Sequence, residues 1–413
     1  MARTIHVIGA GLAGLSAALR ATQAGARVIL HEAGSQAGGR CRSYADSTLG
    51  MTIDNGNHVI LSGNKSALSY LALIGATDRM RGPQESDFNF VDLATGERWQ
   101  LRLGGGLLPW WVFDQARRVP NTRVLDYLVM LRLMWRPGKK TVGEVISCSG
   151  ALYEKLVEPI LLAALNHEPP AASARLAATL MRETLAAGGR TCRPLIAQDG
   201  LSGAFVDPAL VWLKAHGATV QFGHELHGIA FKDGRAAALD FGGDSIALSA
   251  DDAVIVAVPP NLAARLLPDL TVPTEFRAIA NVHFRVAGEP SLPAMTGVVH
   301  GLTQWLFAYP GRLSVTISSA DALMQMPREE LAHKVWSEVA RIAGLPDELP
   351  PWQVVRERRA TIATDPQQES LRPPAQTAWD NVTLAGDWTD TGLPPTIESA
   401  IRSGERAAQL SLA

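Results

Sequence analysis

The stretch that decides the fold is VIGAGLAGLSAALRATQAGARVILHEAGSQAGGR, Val7 to Arg40. "TIHVIGA" reads as a short buried strand, and "LSAALRATQAG" reads as an amphipathic helix ending at Gly25. "ARVILHE" reads as a second strand. Between the first strand and the helix, Gly9, Gly11 and Gly14 form G-x-G-x-x-G, and Glu32 closes the second strand eighteen residues after Gly14. The spacing predicts a dinucleotide-binding βαβ unit. Gly9 makes the tight turn, Gly11 lets backbone approach a pyrophosphate, and Gly14 lets the helix pack on the strand. The free N–H groups of the first helical turn, at Leu12 and Ala13, face that phosphate with the positive end of the helix dipole. Glu32, followed by Ala33, accepts hydrogen bonds from a ribose diol and disfavours a 2′-phosphate, which argues against NADP.

Whole-chain properties set limits. The 413 residues allow two or three domains, and 47% hydrophobic content supports a large core. Thirty-eight basic against forty acidic side chains give a net charge of -2, which predicts no general attraction to nucleic acid. Cys41, Cys148 and Cys192 have no CxxC or ligand spacing, so free thiols in a reducing, cytoplasmic compartment are expected. No signal peptide is read at the start. The longest uncharged stretch, Pro290 to Gly311, is broken by Pro293, Gly297, Gly301 and Pro310 and does not read as a spanning helix. No metal site is expected: His224 and His227 flank a strand with no third ligand in view and read as surface polar residues.

Gly38, Gly39 and Arg40 follow Glu32 closely. Glycines there allow close approach to phosphate or ribityl, and Arg40 brings a permanent forked charge. This combination resembles the flavoprotein superfamily of amine oxidases and carotenoid desaturases, in which GG-R follows the ribose glutamate. The resemblance implies FAD, held non-covalently because none of the cysteines lies in the C-terminal flavin segment. It also implies that the C-terminus returns to the flavin. "VTLAG" reads as a strand, Gly386 and Asp387 follow at a loop suited to a ribityl hydroxyl, and "PPTIESAIRSGERAA" starts a helix. Pro395 precedes its first turn, and the N–H groups of Thr396, Ile397 and Glu398 would face the negative charge of a reduced flavin. "GATVQFGHELHGIAF" reads as two strands, with an adenosine-contacting backbone near Leu226 by family analogy, and "DDAVIVAVPP" as a buried strand.

The implied fold is α/β: a Rossmann-type FAD-binding domain assembled from residues 1–75, 196–262 and 379–413, with an inserted α+β substrate domain from 76–195 and 263–378. "IDNGNHVIL", "EPILLAALNHEPPAASA", "RPLIAQDGLSGAFVDPA" and "LAGDWTDTGLPPTIESAIRSG" together resemble the squalene-associated FAD-dependent desaturases, the hydroxysqualene dehydroxylases. That resemblance implies reductive loss of an allylic hydroxyl from a long-chain isoprenoid, hydroxysqualene, with a hydride from reduced FAD and an electron donor not readable from the sequence. An oxidative phytoene-type desaturase, an amine oxidase and a non-catalytic flavin-binding isoprenoid carrier are the alternatives. One departure is His167, where the family leads us to expect a small hydroxyl residue after Asn166.

The leaving oxygen needs a proton. His58 and Asp54, in "DNGNH", are candidate catalytic groups because the resemblance runs this loop, with Gly56 and Asn57, beside the flavin. Asn166 is a candidate for orienting the hydroxyl. Each has a structural alternative: Asp54 fixing the loop, His58 as a polar core residue, Asn166 capping a turn. Trp388 either packs near the flavin or belongs to the core.

Arg98 to Lys140 carries nine basic residues (Arg98, Arg102, Arg117, Arg118, Arg123, Arg132, Arg136, Lys139, Lys140), two acidic ones (Asp114, Asp126) and four of the ten tryptophans. Apolar faces with basic flanks read either as a helix lying on an anionic membrane, peripheral on the inner face of the cytoplasmic membrane, or as a substrate-domain helix with core tryptophans and solvated arginines.

Overall fold

The computed structural model describes residues 3–106, 109–135 and 137–413. Leu107, Leu108 and Arg136 of the basic segment lie outside the described residues. The opening motif builds the centre of a five-stranded parallel sheet: β1 (Thr4–Ile8), β2 (Arg27–Glu32), β10 (Thr219–Phe222), β14 (Ala253–Val256) and β20 (Val382–Leu384), in the order β10-β2-β1-β14-β20. A continuous apolar run such as AVIV in β14 is buried on both faces, as an inner parallel strand must be. The helix Leu12–Gln23 packs on this sheet, and it is buried around most of its circumference rather than along one stripe.

The reason is a second helix. The C-terminal helix Ile397–Leu412 lies across Leu12–Gln23 so closely that a Cβ on Gly404 would stand 2.1 Å from the Ala13 carbonyl oxygen. Ser16 Oγ donates to the Ile401 carbonyl at 2.9 Å, and Arg20 pairs with Glu405 at 2.5 Å. The chain's last segment is thereby pinned to its first.

The second large sheet has seven strands: β7 (Asp87–Asp92), β8 (Arg98–Arg102), β15 (Phe276–Arg285), β16 (Met295–Val299), β17 (Trp305–Tyr309), β18 (Arg312–Ile317) and β19 (Trp352–Ile362), in the order β19-β15-β18-β17-β16-β7-β8. All its pairings are antiparallel except β16 with β7. Two-residue alternation gives it two unlike faces. Ala280, Val282, Phe284, Leu313, Val315 and Ile317 pack under the helix Arg328–Ala343. The opposite face carries Phe90, Met295, Trp305, Phe307 and Tyr309 in one core and then turns polar, with Asn281, His283, Arg312, Ser314 and Thr316.

Three smaller sheets complete the strands: β3 (Ser43–Asp46) with β4 (Met51–Asp54), β5 (Val59–Leu61) and β6 (Met80–Arg81) flanking β9 (Pro194–Ala197), and β11 (Gly228–Lys232), β12 (Arg235–Asp240) and β13 (Ser245–Ala247). Among the described residues no helix is long and apolar enough to cross a membrane.

Candidate active site

The site is built around the turn after β1. Gly9 takes φ +102°, and a Cβ there would meet the Ala257 carbonyl oxygen at 2.6 Å. Gly14 has no room either: its Cβ would lie 1.9 Å from the Gly9 carbonyl oxygen. Gly11 is the opposite case. It caps the helix in extended conformation without any side-chain cap, and among the described residues nothing lies within 4 Å of the position its Cβ would take. The first turn, Leu12, Ala13 and Gly14, therefore begins beside unfilled space at a helix N-terminus. That arrangement fits a pyrophosphate.

Glu32 stands at the rim of the cradle. Its Oε2 accepts from Ala10 N–H and its Oε1 from Gly34 N–H, both at 2.8 Å, which fixes the carboxylate while leaving lone pairs for a diol. Ala33 follows in the exposed turn. Leu226 lies in the connection from β10 to β11, its side chain in a core with Ile8 and Val256, while His224 N–H bonds the Glu32 carbonyl at 2.9 Å.

The second glycine pair packs beside the first. Gly38, at φ +105°, donates to the Ala10 carbonyl at 2.8 Å and bridges Gly11, and a Cβ there would lie 2.7 Å from the Cys41 carbonyl oxygen. Its close approach is to the protein's own backbone, with Gly39 turning the chain beside Gly11. Arg40 is engaged as well. Its Nη2 donates to Asp387 Oδ1 at 2.7 Å and its Nη1 to the Ala360 carbonyl at 2.5 Å. The guanidinium thus joins the glycine turn to the C-terminal loop, with the Arg40 side chain still 44% exposed. Asp387, expected at a ribityl hydroxyl, keeps Oδ2 without a bond from Arg40 and is buried.

Arg372, which the sequence reading missed, shapes that loop. It is buried and donates to the carbonyls of Asp387 (2.9 Å), Thr389 (2.6 Å) and Leu393 (2.7 Å). An arginine satisfying three carbonyls of a loop fifteen or more residues away has no local sequence signal. Pro395 is buried, and Thr396 is the cap of the last helix, its Oγ1 accepting from Ser399 N–H at 3.3 Å. Ser399 N–H is thereby taken, and among the described residues no partner is found for the N–H groups of Thr396, Ile397 and Glu398. The Glu398 carboxylate instead caps a different helix, Lys65–Leu73, accepting from Ser66 N–H (3.1 Å) and Ala67 N–H (2.9 Å). Trp388 belongs to the core: it is buried, and its Nε1 donates to the Val258 carbonyl at 3.0 Å. Gly386 N–H is held by Ser403 Oγ at 2.8 Å.

The DNGNH loop is held on the polar face of the seven-stranded sheet. Asn281 of β15 donates to the Asn55 carbonyl at 3.3 Å and stands 3.3 Å from where a Gly56 Cβ would be, and Asn57 Nδ2 donates to Thr316 Oγ1 of β18 at 3.0 Å. Asn57 Oδ1 is buried without a partner among the described residues. The three catalytic candidates separate clearly. Asp54 Oδ1 accepts from Ser43 Oγ (2.6 Å) and Leu201 N–H (2.8 Å), and its Oδ2 faces Arg312 at 3.9 Å. It holds β4 against the π-turn Ser202–Val206, a scaffolding task. Asn166 ends the helix Glu158–Leu165 in left-handed conformation, accepts from Ser319 N–H at 2.7 Å and donates to Thr361 Oγ1 at 2.9 Å. Its amide is fully engaged, so it too is scaffolding. His167 beside it contacts Arg277 Nη2 at 3.2 Å.

His58 is the exception. It is half-buried, and no hydrogen bond engages its imidazole among the described residues. Burial, with a further push from Arg40 against the pull of Asp54, lowers its pKa to about 4. The imidazole is therefore neutral near pH 7, which corrects the expectation of an ordinary value suited to proton delivery.

His224 is also more than a surface residue. It stacks on Phe241 at 3.8 Å and contacts His31 at 2.8 Å, which in turn contacts His6 at 3.1 Å. His227 is exposed, and among the described residues no group of ligating side chains is placed to hold a metal.

Residues 12–411 match the family model of the flavin containing amine oxidoreductases. The chain belongs to that family. It is 56% identical over 414 residues to the hydroxysqualene dehydroxylase of Rhodopseudomonas palustris, covering 100% of this chain and 99% of that one. The enzymes of the same name from Sinorhizobium fredii and Zymomonas mobilis are 53% and 45% identical, again over at least 98% of both chains. Among solved structures, putrescine oxidase bound to putrescine aligns with a TM-score of 0.70 at 18% identity, over 99% of this chain and 98% of that one. Cyclohexylamine oxidase from Brevibacterium oxydans aligns at 0.71 and 16%, over 100% and 99%. These two show the fold, and the family makes the chain a flavin-dependent oxidoreductase.

Proposed function

We propose that this chain is an FAD-dependent hydroxysqualene dehydroxylase, replacing the allylic hydroxyl of hydroxysqualene by hydrogen to give squalene and water. The observation that carries this reading is 45–56% identity over essentially the whole chain to three proteins of that name. In balance, a carbon–oxygen bond breaks, a carbon–hydrogen bond forms, and the hydroxyl leaves with one proton as water. A bound reduced flavin would supply the hydride, and the proton that completes the water comes from solvent.

The dinucleotide form of the flavin is supported by the open cradle at Gly11 and the carboxylate of Glu32 at its rim. Non-covalent attachment is supported by the thiols: Cys41 and Cys192 are buried, and burial pushes both up, Cys192 to about 11, so neither offers a thiolate near neutral pH. Free, mostly buried cysteines also suit a reducing cytoplasmic setting. The open N–H groups of Ile397 and Glu398 supply a positive helix end for negative charge. His58 is the one candidate with an unengaged side chain, and as a neutral imidazole it orients the hydroxyl and donates a hydrogen bond to it.

The experiment is an anaerobic single turnover of purified protein with chemically reduced flavin and hydroxysqualene. Squalene appearing in step with flavin reoxidation is expected. Persistent reduced flavin with no squalene would sink the reading and direct the search to oxidative desaturation of polyenes.

A further inference from the structure

Large apolar side chains clustered in water mark a surface that something covers. Nine large hydrophobic residues are exposed among the described residues, and six fall between 110 and 135: Trp110, Phe113, Leu125, Leu128, Leu131 and Trp135. Trp135 is 81% exposed, Leu125 72% and Trp110 69%.

These residues project from an ordered scaffold. Trp110 and Phe113 share the 3-10 turn 110–113, their rings 5.9 Å apart. Leu125, Leu128, Leu131 and Trp135 follow at steps of three, three and four along the turn Val124–Tyr127 and the helix Leu128–Met134, which makes one stripe. Trp111 meets Tyr127 edge-on at 5.3 Å, and with Val112 and Leu133 these buried residues join the two segments to the core. Arg182 ties down the helix end through the Met134 carbonyl at 2.6 Å. The inward positions are packed, and the outward ones are apolar.

The border of the stripe is cationic. Arg123, Arg132, Lys139 and Lys140 are exposed, and of these only Arg123 has an acidic partner, Asp126, among the described residues. Beside the stripe lies a cavity of about 1260 Å³ lined by Arg98, Arg102, Arg117, Arg118, Arg190 and Arg193 against Glu85 and Asp114. The Nε atoms of Arg117 and Arg118 are buried there without a partner among the described residues. Six guanidinium groups against two carboxylates make the cavity positive, which favours anionic oxygens.

From this we infer that residues 110–135 dock the protein on the surface of an anionic phospholipid bilayer. The six apolar side chains enter the headgroup–acyl boundary, and the arginines of the adjoining cavity take lipid phosphates. The helix of seven residues is far too short to span, so the segment lies in the interface. A second copy of the chain is the poorer occupant, because a two-fold contact through this face would set its cations against their own kind. The inference is independent of the substrate, and its test needs no turnover.

Flavin-loaded protein is floated with phosphatidylcholine vesicles that contain or lack phosphatidylglycerol, at low and high salt. Association only with the anionic vesicles, weakened by salt, is expected. Arg132→Glu lowers partitioning by roughly 25-fold, a charge reversal counting twice. Trp135→Ser lowers it about tenfold or more and removes part of the quenching of tryptophan emission by brominated lipid. Both positions are exposed, so both variants keep the wild-type melting temperature and flavin content. Absence of vesicle binding at low salt overturns the inference, as does binding indifferent to both substitutions. A vesicle-free dimer that Trp135→Ser converts to monomer also overturns it, in favour of a second copy.

Discussion

Gly11 and Gly14 are three residues apart in one motif, yet the structure gives them opposite burdens. At Gly11 the backbone is extended (φ -70°, ψ 175°), and among the described residues an added Cβ meets nothing within 4 Å. Gly11→Val therefore folds. A poorer helix cap costs up to about 1 kcal/mol, offset by about 0.4–1 kcal/mol of unfolded-state entropy, so apoprotein stability stays within about 1 kcal/mol of wild type. The isopropyl group, however, fills the space beside the first turn at Leu12 and Ala13. Two charge-assisted hydrogen bonds of about 1.5–3 kcal/mol each are lost, which weakens FAD binding by roughly 10²- to 10⁴-fold. Gly14→Ala inverts the pattern. Its Cβ would stand 1.9 Å from the Gly9 carbonyl oxygen, so strand and helix must part. The apoprotein loses about 3 kcal/mol or more. Urea unfolding of the apoproteins and FAD titration measure the two effects separately. A Gly11→Val protein that purifies with its full flavin complement would refute the phosphate-cradle assignment. One that is several kcal/mol less stable as apoprotein would refute the claim that Gly11 is spared for the ligand.

Other substitutions separate chemistry from scaffolding. His58→Ala is expected to slow turnover by about 10²-fold with unchanged melting temperature, since its imidazole supports nothing else; single-turnover rates and calorimetry decide. Asp54→Ala should do the reverse: leaving Arg312 buried without its partner and the Leu201 N–H without an acceptor costs about 3–5 kcal/mol, while the rate per folded molecule is kept. Arg40→Met strands the buried Asp387 carboxylate and should lower both stability, by about 3 kcal/mol, and flavin retention, read by unfolding and by absorbance. Stability is also pH-dependent. Burial holds His31 and His283 down to about 3 and lowers His6, so below pH 6.5 the unfolded chain takes up protons first. Stability is full above pH 6.5 and falls as pH drops toward 3, by on the order of 4 kcal/mol for His31 alone. Unfolding midpoints that hold steady from pH 7 to pH 4 would contradict this (range set by the shifts above).

Much of this was legible in the sequence because it is written in local spacing. G-x-G-x-x-G, a helix period and a strand ending in Glu32 specify a turn, a helix N-terminus and a carboxylate within one βαβ unit, and neighbouring residues suffice to form them. The basic, tryptophan-rich segment was likewise visible as composition. What only the tertiary structure decided is how side chains far apart in the chain share their hydrogen bonds. Arg40 and Gly38 look like ligand contacts alone in a linear reading, but across the fold Arg40 also bonds Asp387 and the Ala360 carbonyl, and Gly38 bonds the Ala10 carbonyl. Asp54 and Asn166 have the residue types of catalytic groups, and only the arrival of Leu201, Ser319 and Thr361 shows that their oxygens and amide are already taken. His58 stands apart because no hydrogen-bond partner arrives among the described residues, and burial leaves it neutral. A residue's chemistry is fixed by its type, but its availability is fixed by its partners, and partners are brought together by packing rather than by sequence distance.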